Sequence, residues 1–197
     1  MEPVFLGGHP AIDFLNTTFS PQGITTEVIG DGESFLRWMV EAKLLDASSA
    51  ASIRRRYSSA TLNAIAADAR KLRAWVTSWI DRWSRRPLDT YDTELRRLNA
   101  LLQRSHSYCE VVQAEDGVKI VQREHMLDAE ELLALIAAQI ALLISHEDSQ
   151  LVRRCAGASC TLRFLDRTKA HRRVFCSAAA CGNRAKVAAF RNRQRSN

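Results

Sequence analysis

The stretch RRCAGASCTLRFLDRTKAHRRVFCSAAACGNR, residues 153–184, decides how this chain is read. It holds four of the five cysteines, Cys155, Cys160, Cys176 and Cys181, as C-x4-C, a spacer of fifteen residues, then C-x4-C. Two close pairs on a short spacer suit a tetrahedral metal site, because each pair can occupy one tight turn and the spacer brings the turns together. Two disulfides compete for the same cysteines. They need an oxidising compartment, and the opening MEPVFLGGHPAIDF has neither the basic nor the long apolar region of an export signal. Energetics also favour metal. Residues 151–197 carry nine large apolar side chains, too few to fold that length unaided. A structural zinc ion contributes on the order of 10–16 kcal/mol at neutral pH. Four cysteines close the shell against water, so a Zn2+ ion here is expected to be structural and not catalytic. His171 is the one histidine near enough to substitute, and the four thiols leave it no position.

Working outward, the charge divides at the same place. The chain carries a formal +6 and has a pI near 9.4. Residues 151–197 hold twelve Lys and Arg against one acid, Asp166, a net +11, while the remainder is −5. A basic end on an acidic body points to a polyanion partner. Arg153, Arg154, Arg172 and Arg173 flank the cysteines and can offset the formal −2 of four thiolates around zinc. After Gly182 a helix is expected from Asn183 to about Arg193. At 100° per residue Arg184, Arg191 and Arg195 share one stripe, and Val187 and Phe190 turn elsewhere, where they can pack on the cysteine knuckle. The candidate nucleic-acid contacts are Asn183, Arg184, Lys186, Arg191, Arg193 and Arg195. Asn183 and Arg184 suit bracing of the knuckle equally well.

The tetrapeptide Cys181-Gly182-Asn183-Arg184, with the paired cysteines before it, resembles the CGNR zinc-finger family. Near the start, Gly7-Gly8-His9-Pro10-Ala11-Ile12-Asp13-Phe14-Leu15-Asn16-Thr17 resembles the opening of the helical ABATE domain that accompanies that finger, with Ile12 where Leu is expected. The resemblance implies a stress-linked bacterial transcription regulator. It implies a helical domain over residues 1–148 and a CGNR-type finger over 149–197.

The sequence between these ends reads as helical. Asp31 or Ser34 can cap a helix through Phe35, Trp38 and Met39. A long helical pattern runs from about Ser48 to Arg85 and is stopped by Pro87. A third helix is expected near Tyr91–Arg104. Residues 108–122 turn Val- and Ile-rich around Asp116-Gly117, a hairpin signal, and Cys109 in its first strand reads as a small buried residue. Asp128 with Glu131 forms a capping-box start for a helix to about Ile144, apolar nearly all round and so central to the core. The fold class is therefore mainly α with a small β-hairpin, followed by a small four-cysteine, zinc-ribbon-like module ending in a basic helix.

Composition excludes other classes. With 46% apolar and 25% charged residues, 8 Gly and 4 Pro, the chain is globular. Its longest apolar run, Leu132–Ile144, is far short of the ~20 residues of a membrane span. Cytoplasmic residence without membrane contact is expected. No catalytic triad spacing, phosphate loop, HExxH or dinucleotide fingerprint occurs, so no enzyme is expected. His9, Asp13, Asn16 and Thr17 stand among apolar neighbours. They could line a small-molecule pocket, or cap and hydrogen-bond adjacent helices. The leading expectation is a regulator that docks on DNA through the zinc module, its body sensing a ligand or mediating assembly, for instance as a homodimer. An RNA-associated module using the same finger is the alternative. An enzyme around His9, Asp13 and Asn16, or a finger serving protein contacts, ranks lower.

Overall fold

The computed structural model describes residues 3–20, 23–86, 89–114, 117–124 and 128–195. Helix α1 (Pro10–Leu15) is started by His9, whose Nδ1 accepts from the Ala11 N–H, and by Pro10 in its first turn. A two-residue strand pair, β1 (Thr18–Phe19) and β2 (Thr26–Glu27), leads to α2 (Gly32–Glu41). Asp31 and Ser34 together close a capping box on α2, so both expected residues take part.

The expected helix over 48–85 is two helices. α3 (Ala47–Arg56) ends at Tyr57, whose backbone is extended, and α4 (Ser59–Trp83) begins afresh. Ser58 caps α4, its Oγ accepting from the Thr61 N–H at 3.1 Å. Asp46 caps α3 in the same way through Ser49. The hydrophobic pattern ran through the junction because Ile53 and Leu62 both reach one core. The cap residues carried the break. Pro87 and Asp116 lie outside the described residues.

α5 (Asp92–Leu102) and the antiparallel hairpin β3 (Ser107–Ala114) with β4 (Gly117–Glu124) follow where expected, and the register pairs Val111 with Ile120 and Ala114 with Gly117. Cys109 corrects an expectation, since it is exposed. The hairpin projects one face to solvent, so a first-strand position gives no burial. α6 (Glu131–His146) opens on the expected reciprocal bonds. Asp128 Oδ1 accepts from the Glu131 N–H and Glu131 Oε1 from the Asp128 N–H, both at 3.1 Å. α6 packs between α1 and α5 and buries eight residues, including Leu132, Ile136, Ile140 and Leu143.

The remaining chain is a short hairpin, β5 (Val152–Arg154) with β6 (Arg163–Leu165), a wide turn at Ala178–Gly182, and α7 (Asn183–Arg195). Val152, Leu162, Phe164 and Leu165 are buried in the same cluster as Trp38, Trp79 and Ile140. The core therefore runs across the expected boundary at 148/149. The second hairpin completes the body's core, Cys155, Cys176 and Cys181 are buried against the same cluster, and α7 extends beyond it.

Candidate metal centre and nucleic-acid interface

Four free thiols meet where the two cysteine loops converge. The sulfurs of Cys155, Cys160, Cys176 and Cys181 all lie within 4.8 Å of one another. Cys160 Sγ stands 3.8 Å from Cys176 Sγ, and Cys176 Sγ 3.6 Å from Cys181 Sγ. A disulfide needs about 2.05 Å. A tetrahedron with metal–sulfur bonds of about 2.3 Å has edges of about 3.8 Å. The donor set and its spacing thus fit one tetrahedral, thiophilic divalent ion. His171 takes no part, its Nδ1 lying 3.1 Å from the Asp166 carbonyl.

The loops are built around sulfur. The Gly157 and Cys176 N–H groups donate to Cys155 Sγ at 3.4 and 3.3 Å. A Cβ on Gly157 would lie 3.1 Å from Cys160 Cβ and 3.3 Å from Cys181 Sγ, so a larger residue would crowd the cluster. Without metal these thiols cannot ionise together. Burial and neighbouring thiols push Cys160 up to about 11 and Cys176 higher still. Burial also acts upward on Cys181, but the Arg184 guanidinium outweighs it with help from the adjoining thiols and holds that thiol below its ordinary value. Arg184 Nη2 donates to Cys181 Sγ at 3.0 Å. Arg184 is therefore turned onto the cluster. The N-terminus of α7, which also favours negative charge, starts beside it.

The other basic residues divide sharply. Arg163 is buried, and its Nε and Nη2 clamp Asp81 of α4 at 3.0 and 2.8 Å, with Arg154 pairing to the same carboxylate. Arg153 reaches Asp166 and Arg167 pairs with Glu147. Arg173 lies over the Phe164 ring at 4.2 Å and donates to the carbonyls of Phe175, Cys176 and Leu6. For Arg153, Arg154 and Arg173 the expectation that they offset cluster charge is thus corrected. They are engaged elsewhere, and Arg184 makes the sulfur contact. Lys169, Arg172, Lys186, Arg191 and Arg193 are exposed and have no acidic partner among the described residues. Asn183 is exposed at the first turn of α7. Arg195 ends that helix, and its side chain lies outside the described set. The packing expected of Val187 and Phe190 is also corrected. They are 42% and 53% exposed, because α7 leaves the knuckle after its first turn, and Phe175 covers Gly182 instead. Val187 and Phe190 lie between Lys186 and Arg193 on one side and Arg191 on the other, by helical angle.

The N-terminal residues singled out as a pocket do come together, as a latch. Asn16 Nδ2 donates to the Arg163 carbonyl and its Oδ1 accepts from the Arg163 N–H, both at 2.8 Å. Two residues on, the Leu165 N–H donates to the Gly7 carbonyl at 2.7 Å. These bonds occupy the edge of β6 that β5 leaves open. Asp13 Oδ1 accepts from the Gly7 N–H at 2.7 Å, and a Cβ on Gly7 would collide with that oxygen at the same distance. Burial raises the Asp13 carboxyl to about 6. Thr17 Oγ1 donates to the Phe14 carbonyl and accepts from Arg73, which also clamps Glu27. His9 caps α1. Each of the four makes at least one hydrogen bond to protein. α1 ends at Leu15, so Asn16 and Thr17 lie beyond the helix that was to place them on one face with Asp13. Asp81 was not legible as a site residue. It stands in α4 among other charges, and its significance depends on a strand 82 residues away.

A helical body whose opening segment grips the strand beneath a four-thiol cluster is a helical domain carrying a cysteine finger. The comparisons agree with that architecture. The chain belongs to the ABATE family, whose model, described as "Putative stress-induced transcription regulator", matches residues 8–147, and the CGNR zinc finger is matched over residues 152–194. No curated protein matches the chain. Among the described residues no helix is long and apolar enough to cross a membrane.

Proposed function

We propose that this chain is a DNA-binding transcription regulator, that Cys155, Cys160, Cys176 and Cys181 hold one structural zinc ion, and that α7 docks on the DNA backbone. One observation carries the reading: within residues 151–195 the exposed basic residues with no acidic partner among the described residues lie on α7 and in the 169–172 turn, while those of β5 and β6 are engaged by the body. Lys186, Arg191 and Arg193 are placed for phosphate contact, and Val187 and Phe190 between them for apolar contact with bases. Zinc, when bound, supplies a rigid anchor. The residues of the chain do the rest: Arg184 offsets the anionic sulfurs and the latch fixes the finger to the body. On this reading the protein acts by binding and not by catalysis, in a reducing, cytoplasmic setting that keeps thiolates available.

Salt-dependent titration of a labelled DNA duplex by fluorescence anisotropy tests it. Affinity should fall steeply as salt rises, and changing Lys186, Arg191 and Arg193 together to Ser should flatten the log–log slope by roughly 0.9 per lost phosphate contact. Affinity indifferent to salt, or an unchanged slope in the triple variant, would defeat it. The exposed Phe190 gives specific support to the RNA reading, since an aromatic beside guanidinium groups suits stacking on unpaired bases. Competition between duplex DNA and structured RNA separates the two.

A further inference from the structure

Away from the metal centre, α4, α5 and α6 line a cleft of about 270 Å³. On α4 the lining residues Asp68, Lys71 and Leu72 recur at three- and four-residue steps, and on α5 Arg97 opens a matching stripe through Leu101 to Arg104. The floor is apolar. Leu72 is 4% exposed and Leu133 of α6 6%, and Leu101 is half-buried. The charges around it are unequal. Lys71 pairs with Asp68 at 2.8 Å, and Arg104 pairs with Glu130. Arg97 has no acidic partner among the described residues. Its guanidinium lies over the ring of Trp75, 4.3 Å from the centroid, and Trp75 continues the α4 stripe. Stacking on an indole orients a guanidinium while its N–H groups stay able to donate.

We propose that this cleft binds a small organic monoanion, an aromatic carboxylate in class, with its ring on the leucines and its carboxylate on Arg97. Three arguments select that ligand. Of the three cations lining the cleft two are paired, so one positive charge is left over, which matches a single negative charge; a polyphosphate would also meet Asp68 and Glu130. A guanidinium takes a carboxylate through two parallel hydrogen bonds. A cavity of about 150 Å³ takes benzene, so this volume suits one ring with a carboxylate and a short substituent. An apolar cleft with one placed polar group is the usual form of a small-molecule site. α4 carries both this cleft and Asp81, the residue that clamps Arg163. The site is read on protein alone and stands apart from any contact of α7 with nucleic acid.

Titration of benzoate into isotope-labelled, full-length, zinc-supplemented protein, followed by amide chemical shifts at constant ionic strength, tests it. Saturable shifts should centre on residues 97–104 and Leu133, with a dissociation constant on the order of 0.1–1 mM for so small a ligand. Benzamide, the uncharged isostere, should bind about tenfold more weakly or worse. Arg97→Gln should weaken benzoate by about the same factor with thermal melting unchanged. If that variant melts early, Ala100→Phe, at an exposed lining position, keeps Arg97 while filling the cleft, and should weaken benzoate in the same direction. No saturable shift up to about 20 mM overturns the proposal. So do shifts centred elsewhere, benzamide binding as well as benzoate, or benzoate binding that ignores these substitutions.

Discussion

Asp81 shows how one carboxylate can hold a module in place. Burial acts to raise it, but the hydrogen bonds from Arg163 and Arg154 prevail and keep it below the usual carboxylate range. Asp81→Ala leaves the buried Arg163 charge uncompensated and should cost about 3 kcal/mol in urea unfolding. The contribution of this depressed carboxylate is present above its unfolded pKa and lost as acid titrates it. Asn16→Ala strips partners from two buried backbone groups at once and should cost roughly 2–4 kcal/mol. Asp13 has the opposite sign. Its folded pKa lies above its ordinary value, so the folded state binds the extra proton between pH 3.8 and about 6, and stability falls as pH rises through that window. Asp13→Asn should abolish that slope and be at least as stable as wild type at pH 7. A variant clearly weaker there would show that the charge itself is needed.

Among the elements, α7 depends most on its anchor. A helix of 13 residues is marginal alone, and α7 is exposed beyond its first turn. Chelating the zinc should therefore remove α7 helicity from the circular dichroism spectrum together with order in the cysteine loops, and zinc should restore both. Arg184→Ala should weaken zinc affinity about ten- to a hundred-fold, as loss of a group hydrogen-bonded to a ligand commonly does. The separation of α3 from α4 turned on a different kind of signal. Tyr57 and Ser58 are unremarkable in hydrophobic periodicity, and the break lies in Ser58's ability to cap.

For the whole molecule, the continuous core has a direct consequence. Val152, Leu162, Phe164 and Leu165 are each at most 8% exposed. Burial of such side chains contributes about 1.5–3 kcal/mol each, together comparable to the net stability of a domain. A fragment ending at residue 148 should thus fail to unfold cooperatively, whereas one ending after Gly182 and supplied with zinc should retain the body's transition. A well-folded 1–148 fragment would show that the finger is only appended.

The sequence by itself determined the local facts: the four cysteines and their spacing, the charge division, the capped helices at Asp31 and Asp128, the hairpin, and the two motifs that mark the family. Each follows from residues close in the chain, where covalent geometry and periodicity leave few alternatives. Which arginines remain outward-facing, what Asn16 and Asp13 hold, the exposure of Phe190 and Cys109, and the sharing of one core by two sequence segments were decided only in three dimensions. Those outcomes depend on contacts such as Asn16 with Arg163 and Asp81 with Arg163, across 147 and 82 residues. Burial converts an ordinary surface charge into a fixed strut, and composition carries no record of which charges will be buried.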